Sequence, residues 1–249
     1  PEGVSKEQQR DMLNTLQEYN NDHLSHHVEN SNLAARISSY ELAYRMQATA
    51  PEAVDLHSEP EHIKELYGLN DRRTEVFGRQ CLMARRFLER GVRCVQVTHS
   101  DGDVQWDQHG NLRKGHTKNA AEVDKPIAGL LTDLKARGLL DDTLVIWAGE
   151  FGRTPFAQGS NGRDHNPQGF TIWLAGGGVR AGARIGATDE IGLMAVEQPH
   201  PLRDLHATLL AALGLDNDQL SFEVDGRMER LTGVADRAQV IPGVLESTL

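Results

Sequence analysis

The stretch TLVIWAGEFGRTPFAQGSNGRDH, residues 143–165, joins an apolar run, a glycine-rich loop and an acid–imidazole pair. The run Thr143–Ala148 has the length and composition of a buried strand. Glu150 lies just beyond this run, after Gly149. Enzymes of the α/β class commonly place a catalytic or metal-binding group at the end of a strand. After the loop, Asp164 and His165 supply a second acid and an imidazole. The stretch therefore predicts a chemical site at a strand end.

Outward from this stretch, the chain divides into a mainly helical part, 1–90, and a sheet- and site-bearing part, 91–249, of one domain covering 1–249. In the first part the second helix is predicted to stop before Pro51, because proline breaks a helix interior. Strand, helix, strand with short links predicts a mostly parallel sheet with helices on its faces. The elements predicted for the second part are strands at 92–98, 143–148 and 170–175, helices at 116–137 and 204–213, and a hairpin at 222–228.

The charge of the chain limits its partners. A formal net charge of -10 argues against nucleic acid and against an anionic membrane as the main partner. The net charge does not exclude a small anionic substrate, because a local arginine cluster or a metal ion can reverse the electrostatic field inside a pocket. The two cysteines, Cys81 and Cys94, lie in apolar patterns and are interpreted as buried thiols rather than a disulfide, which leaves the compartment undetermined.

Asp107 and His109 form the first candidate ligand group, in the segment WDQHG at 106–110. One carboxylate and one imidazole two residues apart can hold a single metal ion from one loop. The spacing is a weak signal, and a solvated loop with a surface histidine is the alternative.

Two further groups come from the opening stretch. Glu150 with Arg153 is either a functional pair or a salt bridge at a strand end. Asp164 and His165, preceded by Arg163, suit metal binding because they combine a hard oxygen with a borderline nitrogen. The alternative is a loop held by aspartate turns. His200, Asp204 and His206 form a last group, in which His206 more often caps a helix or fills a core than binds a metal.

Four segments together resemble the DUF1501 family, and they occur in the order that the family shows. They are WDQHG at 106–110, VIWAGEFGRTP at 145–155, GRDHNPQGFTIWLAGGGVRAG at 162–182 and DLHATLLAALGLD at 204–216. The family is grouped with the alkaline phosphatase/sulfatase superfamily, but the DUF1501 family itself has no settled activity. The resemblance implies a three-layer α/β/α sandwich of the alkaline phosphatase type and a divalent metal site, with zinc, calcium or manganese as the ion.

Carried over residue by residue, the resemblance assigns Asp107, His109, Glu150, Asp164 and His165 to metal binding. Arg153 and Arg163 are expected to hold the oxygens of a small anionic phosphate or sulfate ester. The chain departs from the superfamily pattern at Phe151, which stands where a second ligand is expected.

The superfamily nucleophile is expected upstream, after a first strand, and no such motif occurs in these residues. The chain is accordingly interpreted as the C-terminal two-thirds of such a domain, lacking its first strand. The resemblance also implies a periplasmic or secreted setting. Two functions follow: a metal-dependent hydrolase of phosphate or sulfate esters, or a non-catalytic relative that binds a ligand or serves a structural role.

Overall fold

The computed structural model describes residues 3–27, 31–99, 106–233 and 237–246. Over these residues the protein is a mixed α/β structure of seven helical segments and short strands. The chain forms two compact units, residues 1–58 and residues 59–249. Among the described residues, no helix combines the length and hydropathy needed to cross a membrane.

Unit 1–58 is built on two helices, α1 (Lys6–Ser25) and α2 (Ser31–Val54), which contact each other. A capping box starts α1: the Ser5 hydroxyl accepts the Gln8 amide, and the Gln8 side chain accepts the Ser5 amide. The prediction that α2 ends before Pro51 is wrong, because the helix continues to Val54. Only the last few residues follow the proline, so the hydrogen bond that it removes is lost near a helix end rather than in mid-helix.

Three helices form the core of unit 59–249: α3 (Glu61–Leu66), α4 (Glu75–Glu89) and α5 (Leu112–Ala136). Tyr67, Leu82 and Leu134 are fully buried between them. The α3 backbone packs unusually close to its neighbours because both contact points are glycines. A Cβ on Gly78 would lie 2.3 Å from the Tyr67 carbonyl oxygen, and one on Gly129 would lie 2.6 Å from that of Leu66.

A buried ionic network crosses this core. Glu59 accepts hydrogen bonds from Arg85, at 2.6 Å, and from Arg86, while Arg85 also lies 3.0 Å from Asp133. Burial alone would raise the pKa of Glu59, but the hydrogen bonds and positive charges of the two arginines outweigh it and hold that pKa below its usual value. Asp133 also accepts the Tyr67 hydroxyl at 3.0 Å. The network therefore joins the start of this unit to α4 and α5.

In the part of the chain after α5 that the structure describes, eight short strands form four separate antiparallel pairs. They are β1 (Val145–Trp147) with β4 (Trp173–Ala175), β2 (Gly152–Arg153) with β3 (His165–Asn166), β5 (Ala187–Thr188) with β6 (Ala195–Glu197), and β7 (Ser221–Val224) with β8 (Arg227–Arg230). Helix α6 (Leu202–Ala212) lies between β6 and β7. The predicted hairpin is confirmed: Asp225 and Gly226 both have positive φ, as a tight two-residue hairpin turn requires.

The predicted parallel sheet does not form over the described residues. The strand predicted at 92–98 does not form: within the described residues this segment has no strand partner, and Cys94 is exposed, whereas Cys81 is buried as predicted. Alternating residues make a strand only when a ladder partner is available. The chain leaves β1, makes the β2–β3 hairpin and returns antiparallel along β4, with Trp147 opposite Trp173. The connection between β1 and β4 contains this hairpin and no helix, whereas parallel strands are usually joined by a crossover helix.

Candidate metal centre

The β2–β3 hairpin places two predicted site residues side by side. In its register Arg153 is the direct partner of His165, and Gly152 pairs with Asn166. The next rung of the hairpin continues the pairing, because the Thr154 amide donates to the Asp164 carbonyl at 2.9 Å. The arginine and the imidazole are therefore fixed by backbone pairing rather than by a flexible loop.

The loop before α5 docks onto this hairpin and brings two further residues. The Arg163 amide donates to the Gln108 carbonyl at 3.0 Å, and the Leu112 amide donates to the Asn161 carbonyl at 3.2 Å. Gly162 makes this approach possible, since a Cβ there would lie 1.9 Å from the His109 carbonyl oxygen. Asp107 and His109 are thereby carried to His165 across a large separation in sequence.

Asp107, His109 and His165 converge on one point. The Asp107 Oδ1 lies 3.0 Å from the His109 Nε2 and 2.9 Å from the His165 Nε2, and the two Nε2 atoms are 3.2 Å apart. Their side chains remain 39–48 % exposed. The three ligand atoms therefore form one small triangle that is open to a solute.

His109 has contacts at both ring nitrogens. Its Nδ1 lies against the Gln158 Oε1, and its Nε2 faces the Asp107 Oδ1 and the His165 Nε2. In the tautomer with its proton on Nδ1, His109 donates to Gln158 and leaves the Nε2 lone pair available to a cation. A histidine oriented by a hydrogen bond from its other nitrogen is typical of metal ligands.

The size of the triangle fits a small divalent cation. Ligand atoms about 2.0–2.1 Å from a tetrahedral ion lie roughly 3.3–3.4 Å from one another. The observed separations, 2.9–3.2 Å, are a few tenths of an ångström smaller. Small rotations of half-exposed side chains close that difference, and three ligands leave a fourth position open.

Arg153 neutralises the carboxylates around the triangle. Its Nη1 donates to the Asp107 Oδ1, and its Nη2 donates to the Glu150 Oε1 at 3.0 Å. Desolvation acts to raise the pKa of Asp107, but hydrogen bonds from Arg153 and His165 and the nearby positive charge lower it overall. Asp107 is therefore held as a carboxylate, the form that binds a cation.

Phe151 lies against both the imidazole and the guanidinium. Its ring centroid is 4.5 Å from that of His165 and 5.3 Å from the Arg153 Cζ. The residue that departs from the superfamily ligand pattern thus provides an apolar surface that packs on one side of His165 and Arg153.

The other predicted residues lie at the edge of the centre or outside it. The Asp164 Oδ1 is 4.0 Å from the His109 Nδ1 and accepts the His165 amide at 2.8 Å, so its carboxylate shapes the turn. The Arg163 guanidinium donates to the Gly162 carbonyl at 2.8 Å. His200 lies 3.6 Å from Asp204 on α6, and His206 is exposed on the same helix.

Two contributors escape the sequence analysis. Gln158 has no motif that marks it, and its role follows only from the contact with His109. Gly162 is a weaker case, because glycine is suited to close backbone approach but is equally common in turns.

The fold and this cluster define a mixed α/β protein with a solvent-accessible candidate cation site. The chain belongs to the DUF1501 family, described as a protein of unknown function, whose model matches residues 1–245. No curated protein and no solved structure is detectably similar to the chain.

Proposed function

We propose that the protein is a metal-dependent hydrolase of phosphate or sulfate esters. The observation that carries the proposal is the triangle of Asp107, His109 and His165 with Arg153 beside it. Cation ligands next to a guanidinium suit an ester whose oxygens carry negative charge.

Each side chain has a distinct role in this proposal. Asp107 Oδ1 and the two Nε2 atoms hold the ion, and Gln158 fixes the ring of His109. A bound divalent cation would polarise an ester oxygen at the open fourth position. Arg153 presents a planar pair of N–H donors that matches two non-bridging oxygens of phosphate or sulfate.

The donor set favours some ions over others. Two imidazole nitrogens and one carboxylate oxygen are the ligands of many catalytic zinc sites, and manganese accepts the same mixture. Calcium prefers six to eight oxygen ligands. Among zinc, calcium and manganese, the proposal therefore favours zinc or manganese.

Kinship with the alkaline phosphatase/sulfatase superfamily, including its three-layer sandwich, belongs to the same proposal. Its support is the order of the four sequence segments and the presence of an Asp–His–His group. The strands of the described residues pair only antiparallel, so the chemical proposal rests on the site rather than on the sheet.

Two measurements test the proposal. Calorimetric titration of the 249-residue chain with zinc or manganese is expected to give one binding site. His165→Ala should remove this site, whereas His206→Ala, at an exposed position on α6, should retain it. The complete gene product is expected to hydrolyse 4-nitrophenyl phosphate or sulfate, to lose this activity with a chelator, and to regain it with the ion. Chelator-resistant hydrolysis by a protein that contains no metal would overturn the proposal.

Two observations favour a non-catalytic alternative. Arg153 already neutralises Asp107 and Glu150, and Phe151 occupies the position expected for a second ligand. A protein of this kind would bind the ion and phosphate or sulfate without turnover. Anion binding by the complete gene product, with no hydrolysis of either ester, is the result that supports this alternative.

A further inference from the structure

Arg153 and a bound cation compete for the same oxygen. The Asp107 Oδ1 accepts the Arg153 Nη1 and also lies 3.0 Å and 2.9 Å from the two imidazole Nε2 atoms. An ion coordinated by these three ligand atoms would place its positive charge directly against the guanidinium. Because like charges repel, coordination of an ion by Asp107 weakens the hydrogen bond that Arg153 donates to it.

Arg153 has a second set of contacts that does not involve Asp107. Its Nη2 donates to the Glu150 Oε1 at 3.0 Å, and its Cζ lies 5.3 Å from the centre of the Phe151 ring. The arginine side chain is only 19 % exposed, and its backbone is paired with His165. Release of Nη1 from Asp107 therefore leaves the guanidinium beside the site, with one donor newly available.

We propose that Arg153 is an exchangeable counter-ion: it neutralises Asp107 until a divalent cation displaces it, and the released guanidinium then binds the oxyanion of the substrate. This inference rests on the proposed function and adds a coupling to it. Loading with the ion creates the anion-binding donor, so an anion is bound well only by the loaded protein.

The proposal predicts the sign of a mutational effect. Arg153→Met removes the competitor, so the variant should bind zinc about 2- to 5-fold more tightly than the unaltered protein when no anion is present. A structural role for Arg153 predicts the opposite, because loss of a positioning contact weakens the site. Arg153→Lys keeps the charge and should stay close to the unaltered affinity, and Arg73→Met is the control for loss of an arginine paired outside the site.

Anion binding gives the second readout. Inorganic phosphate and sulfate are titrated into each protein with and without zinc. The loaded, unaltered protein is expected to bind one of them at least about 5-fold more tightly than the zinc-free protein, and zinc affinity should rise by the same factor when that anion is present. Arg153→Met should lose most of this coupling. Glu150→Ala, which removes the second contact of the guanidinium, should also reduce this coupling.

The outcomes separate the two proposals. Zinc affinity that falls or stays constant in Arg153→Met, while His165→Ala removes binding, overturns the counter-ion role and leaves the metal centre intact. Absence of zinc and manganese binding in every protein overturns the metal centre and the exchange together. Circular dichroism of each variant checks folding, and Arg153→Gln, with the same expected sign, replaces the methionine variant if that variant does not fold.

Discussion

Glu59 accepts hydrogen bonds from two buried arginines, Arg85 and Arg86, inside unit 59–249. Its side chain is 5 % exposed, that of Arg85 is 3 % and that of Arg86 is 8 %. Removing one partner of a buried ion pair leaves an uncompensated charge, which costs more than the pair itself contributes. Replacing one carboxylate oxygen of Glu59 by an amide group should therefore lower the stability of this unit.

Glu59→Gln is expected to lower the free energy of unfolding by about 3–5 kcal/mol at neutral pH. Asp71→Asn, in the exposed pair with Arg73, is the matched control and should cost at most about 1 kcal/mol. Urea unfolding followed by circular dichroism measures both. Equal effects of the two substitutions would contradict the burial of the network.

The pH dependence of this difference has a definite sign. The pKa of folded Glu59 lies below its ordinary value of 4.5, so its stabilising contribution is complete above that value and declines as pH falls through the lower, folded pKa. The gap in stability between the unaltered protein and Glu59→Gln should therefore shrink on acidification below about pH 4.5. A gap that widens with acid would show that the arginines do not hold Glu59 ionised.

At the scale of elements, two glycines set how closely α3 packs on α4 and α5. Helix propensity alone predicts that alanine in place of a helical glycine stabilises a protein by about 1 kcal/mol. At Gly129 the added Cβ would lie 2.6 Å from a backbone oxygen that belongs to Leu66. Packing should therefore override propensity.

Gly129→Ala is expected to lower the free energy of unfolding by about 1–3 kcal/mol, because backbone atoms must move apart to admit the methyl group. Gly110→Ala is the control: no atom lies within 4 Å of its added Cβ, and its φ is not positive. That control should change stability by no more than about 0.5 kcal/mol. A stabilising Gly129→Ala would rule out the close crossing.

The reactivity of the two cysteine thiols tests whether segment 92–98 is unpaired, as in the structure, or forms the strand that its alternating residues predict. Cys94 is exposed, whereas Cys81 is buried and its burial raises the thiol pKa to about 12. A thiol reagent should therefore modify one cysteine, Cys94, in the native protein and both in denaturant, as peptide mass spectrometry can identify. Protection of Cys94 in the native protein would restore the buried strand.

Sequence predicts local structure here better than it predicts pairing. The helix predicted at 204–213 and the hairpin predicted at 222–228 follow from nearby residues, and the structure confirms them as α6 and the β7–β8 hairpin. The prediction of a parallel sheet is wrong because strand direction depends on partners far along the chain, which hydrophobic periodicity does not identify.

The candidate site shows the same division. Residue type, spacing and the family resemblance select five metal ligands, and the structure brings three of them, Asp107, His109 and His165, together. The exchangeable role of Arg153 and the contact of Gln158 with His109 depend on atoms that meet only after folding. Motifs therefore indicate which residues to consider, whereas hydrogen bonds decide how each one acts.

At the scale of the whole molecule, the candidate metal centre lies within one of the two compact units. All three residues of the candidate metal centre belong to unit 59–249. They come from separate segments, before α5 and at β3, that meet only in the folded unit. An ion bound by all three therefore stabilises the folded form of that unit over its unfolded chain.

Zinc at 100 times its dissociation constant is expected to stabilise unit 59–249 by about 2.7 kcal/mol. Scanning calorimetry should show the transition of this unit at higher temperature with zinc, while any separate transition of unit 1–58 stays in place. His165→Ala should lose the shift and His206→Ala, at an exposed position on α6, should keep it. The shift should also diminish in acid, because protonated imidazole does not bind a cation. A shift that survives in His165→Ala would mean that the ion binds elsewhere, and the triangle of Asp107, His109 and His165 would then lose its role as the metal centre.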